Sequence, residues 1–134
     1  MRNPQEMLEL IVSIAQRDER IRAVIMNGSR ANPKASPDPF QDFDIVYVVT
    51  DVGPFKHNYD WIKRFGDIMI MQMPEDMLDP PLENDGSFIY LMQFSDGNRI
   101  DLKIHPLVKV NELKKDSLSV LLLDKDGIIK LTYS

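Results

Sequence analysis

Apolar residues in the first segment recur at helical spacing. Met7, Ile11 and Ile14, joined by Leu8 and Ala15, form one stripe, while Glu6 and Glu9 fall among the remaining positions. Ahead of the stripe, Asn3-Pro4-Gln5-Glu6 supplies an N-cap, a proline at the first helical position and a glutamate spaced for a capping box. Residues 4–17 are therefore predicted as an amphipathic helix packed on a sheet. The period then shortens to that of strands. Ile21–Met26 is apolar and β-branched and ends at Asn27-Gly28, and Phe43–Thr50 is the strongest strand pattern in the chain. Asp67–Met73 and Ser87–Ser95 follow, and Arg99–His105 alternates apolar with polar residues. Ser95-Asp96-Gly97-Asn98 has the composition of a turn joining the last two as an antiparallel hairpin.

Between the second and third strands, Phe55, Trp61, Ile62 and Phe65 can share one face, and Gly66 stands where a helix would stop. A second helix is predicted over residues 54–65 and a short third one over Leu107–Lys115. Residues 31–41 and 74–86 each contain three prolines and no periodicity, so both are read as loops. The chain finishes with the apolar run Val120–Leu123, a turn at Asp126-Gly127, and Ile128-Ile129. Helix, two strands, helix and three strands imply an α+β domain built on a mixed five-stranded sheet with flanking helices.

Composition narrows the class without naming a function. A chain of 134 residues, 43% hydrophobic and 28% charged, has the size and balance of one globular domain. It has no cysteine, which excludes disulfides, thiol catalysis and cysteine-ligated zinc and suits a reducing cytoplasm. The N-terminal stretch lacks the uncharged apolar core of an export signal, and no apolar run approaches the roughly 18 residues of a membrane span. A net charge of −5 and the lack of Lys/Arg clusters argue against nucleic acid as the main partner. An acidic surface favours cationic small molecules instead.

The chemistry-bearing residues lie at strand ends. Asp42-Phe43-Asp44 opens the strongest strand, and residues i and i+2 of a strand share a face roughly 6–7 Å apart. Two such carboxylates on a rigid element can converge on a pair of magnesium ions about 3.5–4 Å apart. An acidic loop flank is the plain alternative. Gly28-Ser29-Arg30 follows the first strand and offers close backbone approach, a hydroxyl and a guanidinium to a phosphate. Taken alone, it reads first as a plain strand-ending turn. Asp101 lies between Ile100 and Leu102 in the alternating strand, on the face that carries Lys103 and His105. Either that face is solvated, or it meets the Asp42/Asp44 strand and crowds three carboxylates together, which favours metal binding or raises one pKa.

Together these blocks resemble the DNA polymerase β-like nucleotidyltransferases and, more closely, the bacterial aminoglycoside 6-adenylyltransferases that modify streptomycin. The likeness is carried by Ile21–Arg30, Gln41–Val49, Phe65–Gln72 and Asp96–Leu102. It implies a polymerase β-like palm fold and transfer of AMP from ATP to an aminoglycoside hydroxyl. Asp42, Asp44 and Asp101 would hold magnesium or manganese, with Asp101 also placed to act as general base. Gly28 and Ser29 would bind the triphosphate with help from Arg30. The family adds a C-terminal helical domain that contributes to aminoglycoside binding, and this chain stops where that domain is expected to begin. The nucleotidyltransferase domain is therefore expected to occupy all of residues 1–134. Acting on a protein or RNA partner, or binding nucleotide without turnover, are the competing readings.

Other features are assigned to structure. His57 and His105 pair with no nucleophile, and His105 reads as a strand-end residue beside Pro106. Met69, Met71 and Met73 are expected to fill core. Asp124-Lys125-Asp126-Gly127 lacks the spacing of a calcium loop. Phe40, Phe43 and Tyr47 suit either adenine stacking or packing.

Overall fold

The protein, seen as a computed structural model, is described for residues 2–27, 42–73, 86–112 and 119–127. Helix α1 covers Pro4–Arg17 as predicted. The Asn3 side chain accepts the Glu6 amide at 2.8 Å, and Glu6 accepts the Asn3 amide at 3.3 Å, completing the capping box. Such a cap contributes about 1 kcal/mol. Fully burying Met7 and Ile11 contributes about 1.5–3 kcal/mol each, so packing decides where the helix lies.

The strands are β1 (Ile21–Asn27), β2 (Asp42–Val49), β3 (Ile68–Gln72), β4 (Phe88–Phe94), β5 (Arg99–Pro106) and β6 (Val120–Asp124). They form one mixed sheet in the order β3-β4-β5-β2-β1-β6. β2 and β5 run parallel, while the other neighbours are antiparallel. The sheet thus has six strands rather than five. β6 was foreseen only as an apolar run, because its leucines carry no strong strand preference and its identity comes from pairing with β1.

One face of the sheet carries the main core. Phe43, Tyr47, Tyr90 and Phe94 meet α1 and the aromatic group Phe55, Trp61 and Phe65. Trp61 packs edge-on against Phe55 and Phe65 at centroid distances of 4.9 and 5.5 Å. The buried Tyr47 hydroxyl donates to the Ile11 carbonyl at 2.6 Å, tying α1 to β2. Lys125 follows β6 and donates to the Ala15 and Asp18 carbonyls at 2.8 and 3.0 Å, satisfying the C-terminal end of α1.

The second predicted helix is interrupted. The stretch 53–65 contains 3₁₀ turns at Gly53–Phe55 and Lys63–Phe65, separated by one helical turn, α2 (Tyr59–Ile62). Asn58 causes the break: its side chain accepts the Trp61 amide at 3.1 Å, and its backbone amide donates to the Tyr90 hydroxyl at 3.1 Å. The third helix is also altered. Leu107–Glu112 forms 3₁₀ turns kinked at Lys109, whose carbonyl lies 2.9 Å from the buried His105 Nε2. The rest of that predicted helix lies outside the described residues. On β3 a register shift between Ile68 and Ile70 leaves Met69 64% exposed, so it fills no core, whereas Met71 and Met73 pack against it. Among the described residues no helix is long and apolar enough to cross a membrane.

The N-terminus is latched to the β4–β5 turn. Arg2 Nε donates to Asp96 at 2.7 Å, the guanidinium also donates to the Phe65 carbonyl, and it stacks 5.2 Å from the Phe94 ring centre. A side chain at Gly66 would strike that guanidinium at 2.5 Å, and its φ of +143° independently requires glycine. Burial pushes the Asp96 carboxyl up, but hydrogen bonds from Arg2 and Asn98 outweigh it and hold it well below the usual range. A lowered folded pKa adds stability that is present above pH of about 4 and fades as pH falls below it. Asp96→Asn should therefore melt below wild type at pH 7, with the gap narrowing steadily below about pH 4. A gap that stays constant across a pH series of thermal melts would assign the loss to shape rather than charge.

Candidate active site

Alternation along the two central strands divides their residues between the sheet faces. Phe43, Ile45, Tyr47 and Val49 of β2 enter the main core, so Asp42, Asp44, Val46 and Val48 project from the other face. On β5 the same rule sends Ile100, Leu102 and Ile104 inward and leaves Arg99, Asp101, Lys103 and His105 on that open face. Val46 and Val48 are buried there with Ala23 and Ile25 against Leu107, but the cover stops short of the carboxylates.

Register then brings the acids together. In the parallel β2–β5 ladder Asp44 stands opposite Asp101 and Asp42 opposite Arg99. On the other side of β2, Asn27 stands opposite Asp44. Asp44 is half-buried with the Asp101 carboxyl as its cross-strand neighbour. Burial raises its pKa first, followed by repulsion from Asp101, the hydrogen bond to Asp101 and the charge of Asp42, with Arg99 opposing, and the result is about 6. Asp44 thus holds a proton that an isolated aspartate would lose near pH 4. Arg99 Nε lies 3.9 Å from Asp42 Oδ1, an exposed pair of small energetic weight.

The donor set suits a hard divalent cation. Burial and the charge of Asp101 work against an ionised Asp44, a repulsion that a cation would relieve, and carboxylate oxygens are the ligands that magnesium or manganese prefers. Among the described residues no three acidic or histidine side chains already form a metal-binding cluster, and Asp42 lies beside Arg99 instead. Recruiting Asp42 costs only a solvent-screened ion pair.

Gly28, Ser29 and Arg30 lie outside the described residues, as does Phe40. Phe43 and Tyr47 are 1% and 0% exposed and face the core, so they are packing residues rather than an adenine platform. The spacing of the acids was legible, but Asn27 and Arg99 were passed over as neighbours of the site. Arg99 is two residues before Asp101 in an alternating strand, which was signal enough to place it on the same face. Asn27 carried no such signal, because only the β1–β2 register brings it beside Asp44. The Ser119 hydroxyl donates to the Asn27 side-chain oxygen at 2.5 Å, fixing that amide.

A raised carboxyl pKa carries a stability cost that can be measured. The metal-free folded protein holds the Asp44 proton more tightly than the unfolded chain, so this group's contribution is full below about pH 4 and lost as pH rises through about 6. Asp44→Asn keeps the position neutral and should raise the metal-free melting temperature at pH 7, by about 4 °C per 1 kcal/mol relieved. At pH 4 the variant and wild type should melt together. A variant that melts lower at pH 7 would show that the ionised carboxylate is not the strained element.

A family model described as streptomycin adenylyltransferase matches residues 1–134. Over 131 residues, 96% of the chain, the sequence is 45% identical to an aminoglycoside 6-adenylyltransferase of Bacillus subtilis (strain 168), covering 46% of that protein. It is 44% identical to an aminoglycoside 6-adenylyltransferase of Campylobacter jejuni, of which it covers 45%. The fold superposes on the crystal structure of an aminoglycoside 6-adenyltransferase from Bacillus subtilis with a TM-score of 0.77 and 37% identity, covering 98% of this chain and 44% of the other. The chain therefore spans a little under half the length of these relatives. Matched along its whole length, it belongs to the streptomycin adenylyltransferase family.

Proposed function

We propose that the chain is the catalytic portion of an enzyme that transfers AMP from ATP to a hydroxyl of an aminoglycoside such as streptomycin, conferring resistance to it. The observation that carries this reading is the facing pair Asp44 and Asp101, joined by Asp42 on the open sheet face, in a chain that matches adenylyltransferases along its length. The acceptor oxygen attacks the α-phosphorus of ATP, the bond to the bridging oxygen breaks, and pyrophosphate departs. Asp101 accepts the hydroxyl proton as general base. Asp42 and Asp44 supply the remaining carboxylates, and Gly28, Ser29 and Arg30, which follow Asn27 directly in sequence, contact the triphosphate.

A magnesium or manganese ion bound by the three aspartates would neutralise charge on the triphosphate and polarise the reacting phosphoryl group. The residues themselves do the orienting. β2 and β5 are central, paired on both sides and backed by the main core, so the two carboxylates keep their separation while substrates exchange. The same acidic face attracts a polycationic acceptor, and the net charge of −5 extends that attraction outward.

Pyrophosphate release from ATP, followed with and without streptomycin, tests the proposal. Release should require both streptomycin and a divalent cation, and chelation should abolish it. Asp101→Asn should lower the rate by about 10²–10⁴-fold through loss of the general base. Asp42→Asn should lose activity while retaining a cooperative melt. An Asp42→Asn protein that releases pyrophosphate at the wild-type rate would refute the assigned site.

A further inference from the structure

The open face does not end at the acids. Beyond Asp101 its row continues through Leu91 of β4 to Gln72 of β3, and beyond Arg99 the next row continues through Gln93 to Ile70. Met71 packs into the core, so Ile70 and Gln72 on either side of it point outward with the carboxylates. With Met92 and Arg99 these residues line a depression of about 250 Å³. Ile70 is 51% exposed there, an aliphatic surface without cover among the described residues.

The lining selects a ligand class. Gln72 and Gln93 each offer two N–H donors and a carbonyl acceptor, and Ile70 and Leu91 place aliphatic surface between them. Hydroxyl groups both donate and accept, and the C–H face of a sugar ring is apolar, so a carbohydrate ring satisfies both features. A phosphate does not, because among the described residues the only cation lining the depression is Arg99, already beside Asp42. Adenine does not either, since no aromatic side chain among the described residues lines the depression. The guanidinium of Arg99 also repels ammonium groups, which are drawn instead to the neighbouring carboxylates.

Reaction geometry points the same way. In-line displacement places the attacking and leaving oxygens on opposite sides of the phosphorus. Gly28-Ser29-Arg30, assigned to the triphosphate in the proposed function, follows β1 on one flank of β2, whereas β5, β4 and β3 form the other flank. The acceptor therefore approaches across the β5–β4–β3 side, over this depression. We infer that Ile70, Gln72, Leu91 and Gln93 seat a neutral carbohydrate ring of the acceptor and present its reacting hydroxyl to Asp101. The inference rests on the proposed function and names where its second substrate binds.

Calorimetric titration of the full chain tests it, with streptomycin and magnesium-ATP as separate ligands. Gln72→Leu and Gln93→Leu keep side-chain bulk and remove the amides at positions that are not buried. Each should weaken streptomycin binding about tenfold, equivalent to about 1.4 kcal/mol, and leave magnesium-ATP affinity within about twofold. The magnesium-ATP arm also reports that the variants remain folded. Equal streptomycin affinity in wild type and both variants would overturn the assignment, as would a wild type that binds magnesium-ATP but no streptomycin. Streptomycin binding weakened by the variants in a chain that fails to bind magnesium-ATP would support the depression and refute the nucleotide half of the proposed function. A wild type that binds neither ligand would overturn both.

Discussion

Asp44 and Asp101 meet because β2 and β5 run parallel in a register that sets them opposite one another, and much of the molecule holds that unfavourable approach in place. Two carboxyl groups across neighbouring strands, about 4.8 Å apart in backbone spacing, repel when ionised. The repulsion is tolerated because the other face of the same strands is anchored. Phe43, Ile45 and Tyr47 of β2 and Ile100 and Leu102 of β5 are all buried beneath the acids. Sliding one strand by a single residue would relieve the charges but turn those side chains into water. Burial at about 1.5–3 kcal/mol per large apolar residue exceeds what the slip would gain.

The two faces therefore have different tasks. The covered face joins α1, the aromatic group around Trp61 and four strands into one core, with Arg2 and Lys125 fastening the ends of the helical layer. The open face is apolar near Val46 and Val48, acidic at Asp42, Asp44 and Asp101, and amide-bearing at Gln72 and Gln93. The proposed chemistry falls on the central strands, and the proposed recognition surface lies toward the edge of the sheet, where strands are less constrained. A binding surface beside the edge can vary without disturbing the spacing of the acids.

The strain at Asp44 is consistent with this division. A carboxyl pushed to about 6 by burial and by its neighbours is a cost to the metal-free fold. A divalent cation bound there, as proposed, would relieve the same crowding. The neighbouring Arg99 offsets part of the charge from the exposed side, and Asn27, held by Ser119, closes the row on the β1 flank.

The sequence alone determined whatever depends on local periodicity. The capping box and stripe of α1, the alternation of β5 and the shared face of Asp42 and Asp44 are all set within a few neighbouring residues. The fold class and the family were legible for the same reason, since the distinctive blocks are short and continuous. Tertiary structure decided what depends on partners remote in the chain. Leucine-rich β6 became a strand by pairing with β1. The second helix broke because Asn58 found Tyr90, and the third kinked where His105 met the Lys109 carbonyl. Met69 left the core through a shift in the β3–β4 register. Period two could say that Asp101 shares a face with Lys103 and His105, but not which strand would lie beside it. Only the β2–β5 pairing, fixed by the core beneath both strands, answered that by placing Asp101 opposite Asp44.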